Sequence, residues 1–143
     1  MAPPDEDLHD PPFGFAGPRP LSMVYGGGGV FGIAFGAGVA HGLAEAGIPV
    51  ATAPALGTSA GSWVASVLAL GTPYERLAVL GSPSVPTRRP VLIERARALF
   101  GDARHPLVAV SAVHVSNGRR HILSGARHDL ADLVAASSAV PGI

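Results

Sequence analysis

Residues 21–32 read LSMVYGGGGVFG, and residues 49–61 read PVATAPALGTSAG. In each stretch a short apolar run meets a glycine-rich turn, and apolar residues at helical spacing follow. Leu21 to Tyr25 suits a buried strand entering a loop, Gly26 to Gly29, that needs backbone angles open to glycine. Beyond the loop Phe35, Val39 and Leu43 repeat at helical spacing, with Ile33, Ala37, Ala40 and Ala44 on a neighbouring stripe. This pattern predicts a mostly buried helix from Val30 to Gly47. Gly32, Gly36, Gly38 and Gly42 within it each cost about 1 kcal/mol relative to alanine, so they predict a close approach by another backbone. Pro49 to Leu56 reads as a second strand and Gly57 to Gly61 as a sharp turn. Trp63, Val64, Val67 and Leu68 then mark an amphipathic helix that Gly71, Thr72 and Pro73 stop. Strand, helix, strand, helix in this order predicts the α/β class, with parallel strands joined by helical crossovers.

Outward from this centre the chain is less uniform. Residues 1–20 carry four acids against Arg19 and six prolines, and read as a mobile arm before a single domain over 21–143. Gly81 to Pro90 is rich in Pro, Ser and Arg and suits a surface lid or connector ahead of a helix over Val91 to Phe100. Leu107 to Val115 alternates as a strand, Asn117 and Gly118 supply a hairpin turn, and Arg120 to Leu123 returns. Asp129 to Val134 reads as a short helix before AASSAVPGI. The 143 residues are 48% apolar and 14% charged, which excludes a disordered tail, a coiled coil and collagen. The apolar run Val30 to Ala40 falls far short of the ~20 residues that span a bilayer. The acidic, proline-rich start lacks the basic and apolar regions of a signal peptide, so a cytoplasmic location is expected. All ten cations are arginine, which excludes Schiff-base lysine chemistry. Residues 81–130 hold eight of them against three acids, a local excess that could meet anionic lipid headgroups and bring the protein to a membrane surface as a peripheral contact. Nucleic acid is not expected, because the arginines lack interleaved aromatics and net charge is zero.

Two features carry chemistry. Gly57-Thr58-Ser59-Ala60-Gly61 matches GxSxG, the turn in which a strained backbone exposes a nucleophilic serine between a strand and a helix. Ser59 is therefore the candidate nucleophile. The Ala60 N–H would sit at the helix N-terminus, where a developing oxyanion is stabilised. The second feature is the four-glycine loop, whose consecutive amides can converge on an anion. Gly27, Gly29 and Gly32 also fit GxGxxG, but no acid lies between Ala46 and Tyr74 to meet a ribose, which speaks against a dinucleotide. No spaced set of histidines or acids suggests a metal; His9 and His41 stand alone, and no cofactor is expected.

GGGGVFG after the first strand, GTSAG after the second and ASSAVPGI later together resemble the patatin-like phospholipase family in order and spacing. The resemblance covers Leu21 to Ile143. It implies a layered α/β sandwich with a mainly parallel central sheet and the elbow at a strand's C-terminal edge. It also implies a serine hydrolase of phospholipid or other lipid acyl esters. Carried over by position, Gly27, Gly28 and Gly29 would donate oxyanion amides with Ala60, Ser59 would attack between Gly57 and Gly61, and Ser137 to Pro141 would build a loop beneath the site. Phe31 stands where the family usually has Arg or Lys. The catalytic aspartate of the family lies in a DG(G/A) motif, and the chain ends at Ile143 before any such motif.

No aspartate present replaces it by position. Asp129 and Asp132 have the spacing of a helix cap and a first-turn acid, and Asp102 follows Gly101 in a turn. A separate triad of Ser59, Asp102 and one of His114, His121 or His128 obeys the chain order of α/β-hydrolases. The expectation is thus a C-terminally incomplete patatin-like hydrolase domain. Taken as a complete chain it would hydrolyse little, because removing a general base costs roughly 10²- to 10⁴-fold in rate. Such a chain could be a non-catalytic lipid-binding or regulatory remnant, or could receive its aspartate from another polypeptide. Its sheet would keep an open edge suited to a partner or a second copy.

Overall fold

The computed structural model describes residues 19–77 and 89–139. The arm up to residue 18, most of the connector over 81–90 and the last four residues of the ASSAVPGI block lie outside them. Four strands form one sheet in the order of the chain: β1 (Met23–Tyr25), β2 (Ala55–Thr58), β3 (Val108–Val113) and β4 (Arg120–Ser124). The first three are parallel and β4 runs antiparallel to β3 through the hairpin at Asn117 and Gly118, so the fold is α/β with a mixed, mostly parallel sheet. Five α-helices accompany it among the described residues: α1 (Gly29–Glu45), α2 (Ala60–Leu70), α3 (Tyr74–Leu77), α4 (Arg89–Phe100) and α5 (Leu130–Ser138).

Crossovers between neighbouring parallel strands are right-handed as a rule, and for strands that advance in one direction this places both helices on one face. The packing agrees. Ile33 and Ala37 of α1 share a buried cluster with Ala60, Trp63 and Val67 of α2, with Leu92, Ala96 and Phe100 of α4, and with Ala131 and Val134 of α5. A second cluster lies between that helical layer and the sheet, where Ala65, Leu130 and Leu133 meet Ala55, Val108 and Val110. Helix α2 is the pivot of both. Every residue from Ala60 to Val67 is buried, Ser62 and Ser66 included, so the first two turns of α2 are covered around their whole circumference and present no solvent face.

Helix α1 departs from the sequence expectation in the opposite sense. Ile33, Ala37 and Ala40 are buried, but Phe31 is 79% exposed, Phe35 64% and Val39 47%. Phe35 and Val39 of one stripe face out and Leu43 is half-buried, whereas Ile33, Ala37 and Ala40 of the other face in and Ala44 is exposed. The reason is the close fit to α2: a Cβ on Gly32 would lie 3.2 Å from the Ala60 Cβ, and one on Gly36 would lie 3.1 Å from a Val64 methyl. Gly32 meets both an α2 side chain and the backbone of the glycine loop, with the Gly27 carbonyl oxygen 3.4 Å from such a Cβ, Gly36 meets a side chain of α2 alone, and Gly38 and Gly42 face open space.

Two strand and helix boundaries also shift. Val50–Thr52 forms a 3₁₀ turn, and β2 begins only at Ala55, because Pro54 has no amide to enter a ladder. Strand β2 then runs to Thr58, one residue before Ser59. Helix α5 continues past Val134 to Ser138, so Ser137 and Ser138 belong to its last turn and not to a loop.

Candidate active site

At the end of β2 the backbone reverses at Ser59, with φ 50° and ψ −119°. It is the one described residue other than glycine with a positive φ. Holding a side-chain residue there costs on the order of 1–3 kcal/mol and requires that its surroundings fix it. Those surroundings are close. A Cβ on Gly57 would lie 2.5 Å from the Ser62 Cα, and one on Gly61 would collide with the Tyr25 carbonyl and approach the Gly26 carbonyl at 2.8 Å. The first turn of α2 therefore stands directly on the end of β1, and both elbow glycines are dictated by contact. Ser62 Oγ donates to the Ser59 carbonyl at 2.6 Å and closes the turn from inside.

The same contact brings the glycine loop to the serine. A Cβ built on Gly27 would sit 3.8 Å from the Ser59 Cβ. Gly28 at φ 154° and Gly29 at φ 60° curl the chain into α1, and the Gly32 N–H donates to the Gly28 carbonyl at 2.9 Å. Among the described residues, the amides of Gly27, Gly28 and Gly29 donate to no backbone carbonyl outside the regular ladders and helices. Ala60 is buried and opens α2, where the first amides of a helix lack intrahelical acceptors. Half-buried Ser59 thus stands between two helix N-termini.

Two further serines hold this turn, and sequence reasoning placed them only in a supporting loop. The Ser59 N–H donates to Ser137 Oγ at 2.8 Å, and Ser137 Oγ donates to the Ser111 carbonyl of β3 at 2.6 Å. Next to it the Trp63 indole Nε1 donates to Ser138 Oγ at 2.9 Å. The last turn of α5 is pinned to the elbow by both hydroxyls. The repeated serine in ASSA was the available signal, but the partners are 78 and 75 residues away in the chain.

No candidate base hydrogen-bonds to Ser59 among the described residues. Asp102 and Asp132 both pair with Arg97 at 2.8 Å, and Asp129 pairs with Arg104 at 2.7 Å. Asp129 does occupy the N-cap position of α5, yet makes no capping bond, and its carboxylate pairs with Arg104. It lies about 12 Å along the helix axis from Ser137, at 1.5 Å rise per residue. Nor does Asp102 meet a histidine, so the alternative triad is not assembled. His114 Nδ1 is 3.0 Å from Ser116 Oγ, and its ring is 5.9 Å from that of His121 on the hairpin. His105, away from the elbow, accepts the Leu107 N–H at Nδ1, and burial lowers its pKa. Beside the elbow, Tyr25 has its pKa raised by burial, and its hydroxyl is buried with no hydrogen-bond partner among the described residues. Among the described residues Ser59 is thus bonded through its backbone to the hydroxyls of Ser137 and Ser62, and no carboxylate or imidazole hydrogen-bonds to it.

The arginine excess of the second half is partly spent internally, since Arg97 and Arg104 engage all three of these aspartates. No helix among the described residues is long and apolar enough to cross a membrane. Comparison of the chain with known protein families, with curated proteins and with solved structures found no match.

Proposed function

We propose that this chain carries the nucleophile and oxyanion half of a patatin-like serine acyl hydrolase acting on phospholipid or other lipid acyl esters. The observation that carries the reading is the strained Ser59 at the end of a parallel strand, with the glycine loop of the neighbouring strand beside it. Strain of this size clusters at functional sites, and a serine at such a turn between strand and helix exposes its hydroxyl. In the proposed reaction Ser59 Oγ attacks the ester carbonyl, and its proton passes to a general base. The amides of Gly27, Gly28, Gly29 and Ala60 hold the negative oxygen of the tetrahedral intermediate. Collapse expels the alcohol, and water then releases the acyl group from Ser59. No metal or organic cofactor enters these steps. The exposed, stacked rings of Phe31 and Phe35, with centroids 6.1 Å apart, suit a lipid substrate because they put apolar surface in the first turns of α1. In this reading the base is a carboxylate outside the described residues, as the family resemblance implies.

The absence of a base beside Ser59 among the described residues favours one second reading, a lipid-binding relative that keeps the pocket without turnover. A fluorophosphonate probe separates the two. Covalent labelling of the wild type that is lost in Ser59→Ala, together with release of fatty acid from a short-chain phospholipid, is expected of the hydrolase. Labelling without release favours the binding protein. No labelling of the wild type removes Ser59 as an activated nucleophile.

A further inference from the structure

We infer that Ser137 is a positioning residue for Ser59: its hydroxyl is spliced into the β2–β3 ladder at the point where β2 turns away to form the elbow. The register makes the case. Ala55 to Thr58 pair with Val108 to Ser111 in parallel, and the Ala55 N–H donates to the Leu107 carbonyl at 2.8 Å. A parallel ladder repeats every two residues, so the next donors on that side are the amides of Gly57 and Ser59, and the acceptor due to Ser59 is the Ser111 carbonyl. That direct bond is not made. At φ 50° Ser59 has left the strand, and Ser137 Oγ stands between the two groups, accepting from Ser59 at 2.8 Å and donating to Ser111 at 2.6 Å.

Only a group that accepts and donates at one atom can fill this position, which among side chains means a hydroxyl. Ser111 is buried, so leaving its carbonyl unpaired would carry the full cost of an unsatisfied group. The elbow thus leaves the sheet without orphaning either end of the broken ladder bond, and the bond that permits it belongs to α5. Trp63 donating to Ser138 fixes the same turn of α5 against α2, which sets where the Ser137 hydroxyl lies. The orientation of Ser59 is consequently coupled to the position of the α5 C-terminus. This goes beyond assigning Ser59 as nucleophile, and only the labelling arm of its test rests on that assignment.

The test compares Ser137→Thr with Ser137→Val in the full chain. The two side chains match in shape and β-branching, so they share any cost of fitting into α5, and they differ in the hydroxyl alone. Two readouts are taken: exchange of the Ser59 amide by NMR, and the rate of fluorophosphonate labelling. Ser137→Val is expected to speed exchange of the Ser59 amide by about 10-fold or more relative to wild type and to slow labelling by a similar factor, while Ser137→Thr restores both toward wild type. Equal behaviour of the Thr and Val variants, folded or not, overturns the inference, as does wild-type protection of the Ser59 amide in Ser137→Val. If the wild type does not react with the probe, the hydrolase reading falls, and amide exchange still decides the role of Ser137.

Discussion

The chain contains two strand-turn-helix segments of the same kind, β1 into α1 and β2 into α2, and they differ in almost everything that follows. The turn after β1 is made of glycine and presents bare amides; the turn after β2 carries one strained serine. Helix α2 is buried from Ala60 to Val67, whereas α1 buries a thin stripe of Ile33, Ala37 and Ala40 and exposes Phe31 and Phe35. Their positions in the sheet explain the contrast. Strand β2 is interior, flanked by β1 and β3, so its helix has neighbours on every side. Strand β1 is an edge among the described strands, with Val24 76% exposed, and its helix has α2 on one side only. The same local grammar therefore yields a rigid platform in one case and a flanking wall in the other. Ser59, the proposed nucleophile, stands on the first of these.

The contact that joins the two segments is the place to break the comparison. Gly61→Ala would drive a methyl group into the Tyr25 carbonyl, so β1 or α2 must move. We expect a loss of roughly 3 kcal/mol or more in urea unfolding, at or beyond the usual cost of overpacking, or failure to fold. A Gly61→Ala chain of wild-type stability would mean that α2 does not stand on β1. The two faces of α1 come next. Ile33→Ala should cost about 2–4 kcal/mol because it opens a cavity between α1 and α2, while Phe35→Ala should change stability by less than about 0.5 kcal/mol. Equal costs at the two positions would show that the outer face of α1 is covered.

Ser59→Gly sharpens the contrast between the turns by making the second resemble the first. Relief of the positive φ should raise stability by about 1 kcal/mol in thermal or urea unfolding, and fluorophosphonate labelling should vanish. A destabilised Ser59→Gly chain would argue that the serine side chain, and not its backbone, holds the elbow. The smallest effect is expected at Tyr25, the last residue of β1, whose hydroxyl is buried and unpartnered. Burial raises its pKa, so the folded state holds the phenolic proton more tightly than the unfolded chain does. The contribution is complete below the unfolded value near 10 and is lost as pH rises through and beyond it. Tyr25→Phe should be neutral or slightly stabilising at pH 7 and should flatten the alkaline loss; a chain whose stability between pH 9 and about 11 is unchanged by the substitution would contradict this.

Much of this arrangement is legible in the letters. The Gly-rich turn and GTSAG mark the ends of β1 and β2 because few residues other than glycine survive a reversed backbone or a carbonyl at contact distance. The Asn117-Gly118 turn foretells the β3–β4 hairpin for the same reason, with Gly118 at φ 68°. Periodicity was less informative on α1, where both the large and the small apolar stripes have helical spacing and nothing local says which one faces the core. The acids at Asp129 and Asp132 are correctly placed at the start of α5, but their partners, Arg104 and Arg97, come from a distant segment that no spacing rule reaches.

The amino-acid order alone determined the α/β class, the two glycine-bearing turns and the residue to suspect as nucleophile, since these follow from backbone sterics and local pattern within a few residues. Tertiary structure alone decided which face of α1 is inside, that the acids of α5 are bound to arginines, and that Ser137 completes the bond Ser59 leaves open. Each of those depends on which segments meet across the sheet. Burial and hydrogen-bond satisfaction are settled between elements far apart in the chain, where neither composition nor periodicity carries the information.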